Sequence, residues 1–252
     1  MHLARVMTAD GPRHAIADPD HRTVRVLADQ RFPPGPSPRL TGETLPLEHA
    51  RLLAPVVPGK IVVIGRNYGG RGDASGTLVI HLKPPTAVIG PGEPILLPAE
   101  AKDVRYEGEL AVVIGTTCRS VTPDQAAAHV FGHTCANDVT AWDIGTDGGQ
   151  WTKAKGMDTF CPLGPWITTD ADPGAAVITT HLNGELRQHG STAHLTRGTA
   201  ELVSEVSHLM TLLPGDVLLT GTPEGSAAMA DGDEVTVTVE GIGTLRNPVA
   251  TR

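Results

Sequence analysis

Two acids set one residue apart offer the first chemistry in this chain. They lie in Arg105-Tyr106-Glu107-Gly108-Glu109-Leu110-Ala111-Val112-Val113-Ile114-Gly115. A β-branched, apolar run that closes on a glycine predicts a β-strand. Side chains alternate along a strand, so Glu107 and Glu109 are expected on one face. Neighbouring carboxylates repel, and each is driven toward its protonated form unless a cation compensates. A divalent ion with oxygen ligands, such as Mg²⁺, Mn²⁺ or Ca²⁺, meets that need. A solvated strand face carrying two exposed acids is the ordinary alternative, and a bare Glu-x-Glu does not exclude it.

Other reactive residue types follow downstream. Asp138 comes after Asn137 at the end of the small-residue run Gly132-His133-Thr134-Cys135-Ala136, where a strand is expected to finish. Lys155 opens Lys155-Gly156-Met157-Asp158-Thr159-Phe160-Cys161-Pro162-Leu163-Gly164-Pro165-Trp166, and Thr222 lies in Leu219-Thr220-Gly221-Thr222-Pro223. The three cysteines, Cys118, Cys135 and Cys161, are odd in number and share no Cys-x-x-Cys spacing, so they are read as buried small hydrophobes rather than disulfide or zinc ligands. His133, His181, His189 and His194 show no ligand spacing and are read as structural.

The elements that must position these residues are short. Strands are predicted at His14–Ala17, Thr23–Leu27, Ile61–Gly65, Leu78–Lys83, Val217–Leu219, Glu234–Val239 and Gly241–Leu245. Thr122-Pro123-Asp124-Gln125 has the form of a capping box with proline at the first helical position, predicting a helix that stops near Gly132. A second helix, capped by Thr199, is expected to place Leu202, Val206, Leu209 and Leu213 on one face before Pro214-Gly215 ends it. Between the strands at 61–65 and 78–83, a polar loop with four glycines (Gly69, Gly70, Gly72 and Gly76) suits either a mobile connection or close backbone approach to a ligand. Proline recurs at 33, 34, 36 and 38, and residues 45–55 read as a turn, so the division expected is a small module over residues 1–57 and a main domain over 58–252. Few helices and many strands make the fold class α+β, mainly β.

Composition bounds the function. The chain has 252 residues, enough for one large domain or a small and a medium one. Apolar residues make up 40% but aromatics only 3%, so aliphatic packing must build the core. With 29 glycines and 21 prolines the chain suits a turn-rich β protein. A formal net charge of −8 without a basic cluster argues against nucleic-acid or anionic-membrane partners. No apolar run reaches the length of a membrane span, and Met1–Thr8 lacks the apolar core of a signal peptide, so the cytoplasm is the expected location.

Taken together, the segments from about Pro58 to Val249 resemble the fumarylacetoacetate hydrolase superfamily. The resemblance rests on Glu107-Gly108-Glu109, Asn137-Asp138 and the Lys155–Trp166 segment. It continues through Asn183-Gly184-Glu185 with Gln188, Leu212-Leu213-Pro214-Gly215-Asp216, Thr220-Gly221-Thr222-Pro223 and Gly241–Asn247. It implies a β-sandwich roll with a small N-terminal β-rich domain, usually dimeric, around a divalent metal. Glu107, Glu109 and Asp138 match the metal-binding carboxylates, with Mg²⁺ or Mn²⁺ expected and Ca²⁺ possible. Lys155 matches the active-site lysine, and Thr222 with the Gly221 backbone matches the loop that binds a substrate carboxylate. Tyr68, in the family's Asn-Tyr pair, is placed with the substrate-binding residues. The implied reaction is metal-dependent chemistry on a small 2-oxo acid or enolisable dicarbonyl compound. C–C bond hydrolysis comes first, with decarboxylation, enol–keto isomerisation or a biosynthetic lyase or cyclase reaction as alternatives. A metal- and ligand-binding protein without turnover is the non-enzymatic alternative.

The chain departs from the pattern where water would be activated. Arg71 and Ala74 stand where the family carries a histidine and a glutamate, with Asp73 adjacent, and Trp142 replaces the arginine of an Asp-x-Ser-Ala-Arg-Asp motif. Two residues are candidates to compensate, with a packed or exposed histidine and an exposed loop arginine as their ordinary alternatives. His81 should share a strand face with Lys83 and is a candidate base or acid. Arg71 is a candidate for the positive charge that Trp142 no longer supplies.

Overall fold

The computed structural model describes residues 1–69, 79–145 and 149–252. Two sheets carry most of the chain. The main path of the larger runs Leu40–Pro46, Thr23–Leu27, Gly11–Asp18, His2–Thr8, Cys161–Thr168, Val130–Asn137, Gly108–Ile114, Val217–Leu219, Ile61–Gly65 and Val79–Lys83. The second is five-stranded, in the order Glu185–Ser191, Val177–Leu182, Glu234–Val239, Gly243–Thr251 and Ile95–Leu97. The mainly β, α+β class expected from the sequence is what the structure has.

Aliphatic side chains fill the space between the sheets. Leu110 and Cys135 from the larger sheet meet Ile178, Val235, Val237, Val239 and Leu245 from the smaller. Elsewhere on the larger sheet, Val62, Ile64, Val112 and Ile114 pack against Leu202, Val203 and Val206 of the helix Thr199–Leu209. All three cysteines are free and buried within this apolar packing, as their spacing implied.

The N-terminal strands build a small core of their own from Val6, Ala15, Val24 and Val26. They also continue the larger sheet, because His2 and Leu3 pair with Thr168 and Ile167. The proposed boundary at residues 57 and 58 therefore crosses one hydrogen-bonded sheet. Residues 45–55, read as a turn, hold the 3₁₀ turn Leu47–His49 and a short strand, Leu52–Leu53.

The strands expected at His14–Ala17 and Gly241–Leu245 are longer, Gly11–Asp18 and Gly243–Thr251, and three further elements differ in extent. The first helix covers only Pro123–Ala126, passes into a 3₁₀ turn at Ala127–His129, and gives way to the strand Val130–Asn137. Gly132 is thus a strand residue rather than a helix stop; a methyl there would lie 2.5 Å from Thr168 O. The second helix ends at Leu209 because Met210 turns extended (φ −151°, ψ 146°). Leu209 and Leu213 are exposed, and the buried face is Leu202, Val203 and Val206. Its cap is Gly198, whose N–H donates to Glu201, so Thr199 is the first helical residue. Third, the acidic strand starts at Gly108, leaving Glu107 just outside it and Val104–Arg105 in a separate short strand.

Candidate active site

The site lies where the larger sheet's central strands end beside the smaller sheet. Gly108 pairs with Asn137 and Glu109 with Ala136 across the antiparallel ladder. Beyond the ladder's end, the Asn137 side chain continues it: Oδ1 accepts from Glu107 N at 2.9 Å, while Asp138 N donates to Glu107 O at 2.8 Å. This gives the Asn-Asp pair a local reason. The asparagine ties down the backbone of one acid and turns its neighbour toward the same point.

Gly108 lets the sheets approach. A methyl on this residue would lie 2.1 Å from Thr180 Oγ1 and 3.2 Å from Val237 on the smaller sheet. At Gly108 the face opposite the acids is therefore closed to a side chain, and both glutamates project to the other side. Gly108 N donates to Gln188 Oε1 at 3.0 Å, and Gln188 Nε2 donates to Thr222 Oγ1 and Pro223 O, both at 2.8 Å. Thr222 Oγ1 closes the circuit on Gly108 O at 2.9 Å. A fully buried amide thus fixes the Thr-Gly-Thr-Pro loop against the acidic strand.

Glu107, Glu109 and Asp138 are all buried, and each offers a carboxylate oxygen within 4.8 Å of the others. Two ammonium groups face them. Lys155 Nζ lies 3.0 Å from Glu107 Oε2 and 2.6 Å from Thr140 Oγ1, and also donates to Asp138 Oδ2. Lys83 Nζ lies 2.8 Å from Asp138 Oδ1 and donates to the carbonyls of Val139, Lys155 and Phe160 at 2.9, 2.7 and 2.8 Å. Three acids against two lysines leave one negative charge in excess in a water-poor place. Burial pushes the Glu109 carboxyl well above the usual range, and the charges of Asp138 and Glu107 push it further. Glu107 is raised for the same first reason, with Lys155 opposing. Asp138 resists its burial because Lys155 and Lys83 hold it below the ordinary value. Burial alone would lower Lys155, but Asp138 and Glu107 outweigh it and keep the ammonium charged. An all-oxygen donor set with uncompensated negative charge fits a hard divalent cation.

These groups open onto a cavity of about 630 Å³ whose walls include Tyr68, His81, Arg105, Trp142 and Thr222. Tyr68 is buried and its hydroxyl has no partner among the described residues; burial, then Glu109, raises its pKa. His81 lies on the strand Val79–Lys83, two residues before Lys83. Burial and then the Lys155 charge lower its pKa to about 4, so its imidazole is neutral at neutral pH. It packs on Trp151 at a ring separation of 4.9 Å, and Trp151 meets Trp142 edge-on at 5.9 Å.

One expectation changes. The Gly221 N–H, expected to meet a substrate carboxylate, instead donates to Glu109 Oε2 at 2.7 Å, allowed by a left-handed φ of +104°. Gly221 therefore orients an acid, while Thr222 is the loop residue on the cavity wall. Arg71, with Asp73 and Ala74, lies outside the described residues. Sequence reasoning passed over Arg105, Trp151, Ser226 and the buried role of Lys83. Arg105 begins the acidic stretch, and that adjacency was the available signal.

Residues 60–250 match the fumarylacetoacetate (FAA) hydrolase C-terminal family, and residues 1–55 match the Rv2993c-like N-terminal family. The chain belongs to the fumarylacetoacetate hydrolase family. Among its relatives is Protein Rv2993c of Mycobacterium tuberculosis, 46% identical over 99% of this chain and 98% of that protein. A 5-carboxymethyl-2-hydroxymuconate delta-isomerase from Mycobacterium smegmatis has a similar solved structure (47% identity, TM-score 0.93, all of both chains). So does a maleylpyruvate hydrolase from Sphingobium sp. SYK-6, solved with manganese(II) and pyruvate (32% identity, TM-score 0.83, 100% of this chain and 99% of that one). Fumarylacetoacetate hydrolase-family members of this kind include both isomerases and hydrolases. Among the described residues no helix is long and apolar enough to cross a membrane.

Proposed function

We propose that this chain is a divalent-metal-dependent isomerase that interconverts the enol and keto forms of a small 2-oxo acid or related dicarbonyl compound. The observation that carries the reading is the buried triad Glu107, Glu109 and Asp138 with Lys155 beside it, opening on a cavity that His81 also lines. A divalent ion held by the three carboxylates, Mg²⁺ or Mn²⁺ with Ca²⁺ as the third candidate, would supply a Lewis acid that draws negative charge onto the substrate's adjacent oxygens.

The chain's own groups supply the rest. The Lys155 ammonium is a fixed positive charge for a substrate carboxylate or for the oxygen where charge develops. The Tyr68 hydroxyl, without a partner among the described residues, is a donor for a second substrate oxygen, and Thr222 borders the same space. The neutral His81 imidazole can take a proton from the carbon beside the carbonyl and return it, which is all that tautomerisation asks of a base. The walls of Trp142 and Trp151 exclude water around that exchange.

C–C hydrolysis, expected first from the resemblance, becomes the second reading. It requires an activated water, and the usual dyad positions carry Arg71 and Ala74. Likeness to a delta-isomerase supports the same order. Decarboxylation needs no water and remains an outcome of the test. A homodimer, twice the 26.3 kDa chain, and a cytoplasmic location belong to this proposal as well.

The test follows oxaloacetate and an acylpyruvate with the protein loaded with Mn²⁺ or Mg²⁺ and with chelator present. Ultraviolet absorbance reports enol–keto relaxation and pyruvate is assayed separately. Metal-dependent relaxation without pyruvate is expected. Pyruvate release as the only metal-dependent reaction would replace the isomerase reading with decarboxylation or hydrolysis, according to the substrate that yields it.

A further inference from the structure

At residue 142, a tryptophan stands where a substrate-gripping guanidinium was expected, yet the structure brings a guanidinium to it from the strand Val104–Arg105. The Arg105 guanidinium carbon lies 5.4 Å from the Trp142 ring centroid, over its face. Its Nε and Nη2 donate to the two Asp103 carboxylate oxygens at 2.8 and 2.7 Å. That fork fixes one edge, and Nη1 donates to no group among the described residues. Stacking and a bidentate partner together hold an arginine in a single orientation.

The support beneath it is backbone. Arg105 pairs with Thr140 and Val104 with Ala141. Trp142 N donates to Asp103 O at 2.8 Å, and the Asp143 carboxylate accepts from Lys102 N at 2.7 Å and Asp103 N at 3.2 Å. Residues 102–105 and 140–143 therefore form one clamp. Arg105 also bridges to Ala228, which brings the Ser226 loop alongside. The Ser226 hydroxyl faces the same cavity, buried and without a partner among the described residues.

Depth orders these groups along the cavity. The side chains of Lys155, Glu107 and Asp138 are 6%, 9% and 1% exposed, whereas that of Arg105 is 37% exposed. The acids and Lys155 form the floor and Arg105 the rim, with Trp142 between rim and the inner Trp151 wall. The Asp103 charge offsets that of Arg105, so the subsite acts through directed donors rather than through net charge.

We propose that Arg105, seated on Trp142 and assisted by Ser226, is a specificity-determining residue that binds the distal carboxylate of a dicarboxylic 2-oxo acid whose 2-oxo end lies at the acidic triad. This rests on the function proposed above and deepens it: the favoured substrates carry a second anionic group several carbons from the reacting end.

The experiment measures binding and reaction separately in Mn²⁺-loaded protein. Binding of 2-oxoadipate and of 2-oxohexanoate, which share chain length and differ in the distal carboxylate, is measured by titration calorimetry. Exchange of the C3 protons with D₂O, followed by NMR, reports enolisation. Wild type is expected to bind 2-oxoadipate roughly 10- to 100-fold more tightly, the range for a charge-assisted hydrogen-bonded contact. Arg105→Gln should remove most of that preference, weakening 2-oxoadipate by about the same factor and 2-oxohexanoate by less than about threefold. Arg105→Lys, which keeps charge without the fork, should recover only part. Equal affinities in wild type, no binding of either acid, or an equal loss for both acids in Arg105→Gln would overturn the subsite. A preference that depends on Arg105 without any proton exchange would leave the subsite standing and count against the isomerase reading alone.

Discussion

Lys155→Met tests whether the ammonium at the site's floor compensates its acids. The substitution keeps length and removes charge at a residue paired with Glu107 Oε2 at 3.0 Å and with Asp138 Oδ2. Removing one partner of a buried pair costs about 3–5 kcal/mol, because the remaining charge is stranded. Asp138 keeps Lys83 at 2.8 Å, so the loss falls mainly on Glu107. Glu107 can escape by taking up a proton, and its carboxyl is already raised by burial. The expected cost is therefore the lower end of that range, about 3 kcal/mol at pH 8, or roughly 6–12 °C in Tm for a chain of this size. The sign of the pH effect follows. In the variant the folded Glu107 holds a proton that the unfolded chain, at the ordinary value of 4.5, releases. Protonation is easier at lower pH, so the deficit against wild type should shrink between pH 8 and pH 5. Mn²⁺ should shrink it too, by supplying the missing positive charge. Urea unfolding of both proteins at both pH values, with chelator and with Mn²⁺, provides the numbers. A deficit below about 1 kcal/mol that ignores pH would refute the charge-compensation argument.

Gly108→Ala places a methyl 2.1 Å from Thr180 Oγ1, and overpacking of this kind costs about 1–3 kcal/mol. Removing the unpartnered Thr180 hydroxyl in Gly108→Ala/Thr180→Ala should recover most of the loss in a thermal melt, whereas no recovery would mean the contact is not the cause. For pH, His14, His81 and His133 are each lowered to about 4, first by burial, from 6.5 in the unfolded chain. Unfolding between about pH 4 and 6.5 therefore takes up protons at these histidines, and their contribution to stability is lost as pH falls through that window. Glu107 and Glu109, raised in the fold, act in the opposite sense. A difference isolates one site: His133→Asn should flatten the slope of stability against pH by about one proton, or about 1.4 kcal/mol per pH unit, and an unchanged slope would show that His133 is not a buried neutral histidine.

The sequence carried the site further than it carried the edges of the elements. Glu107 and Glu109 were legible as a pair from their spacing, Asp138 and Lys155 were added by the family resemblance, and the structure brings all four together. Their surroundings were not legible. Lys83 is silenced by carbonyls from Val139, Lys155 and Phe160, groups 56 to 77 residues away in the chain, and no local pattern announces such contacts. The family resemblance assigned the Gly221 backbone to a substrate, whereas its N–H donates to Glu109, a contact between residues 112 apart in the chain that no local pattern announces. Periodicity extended the helix at Thr199 through Leu213, but it could not register that Met210 leaves helical geometry. Val130 and Phe131 followed the same logic in reverse. They continue a helical run in sequence, yet suit a strand, and the pairing of Val130 with Ile114 and of Gly132 with Val113 decides.

The central claim is that Glu107, Glu109 and Asp138 hold one divalent ion. Its most direct test is Mn²⁺ binding followed by electron paramagnetic resonance in wild type and in Glu109→Ala, with circular dichroism to verify that the variant is folded. The account predicts one site per chain in wild type and none of comparable affinity in the folded variant. Undiminished Mn²⁺ affinity in Glu109→Ala, or no binding to the wild type, would contradict it.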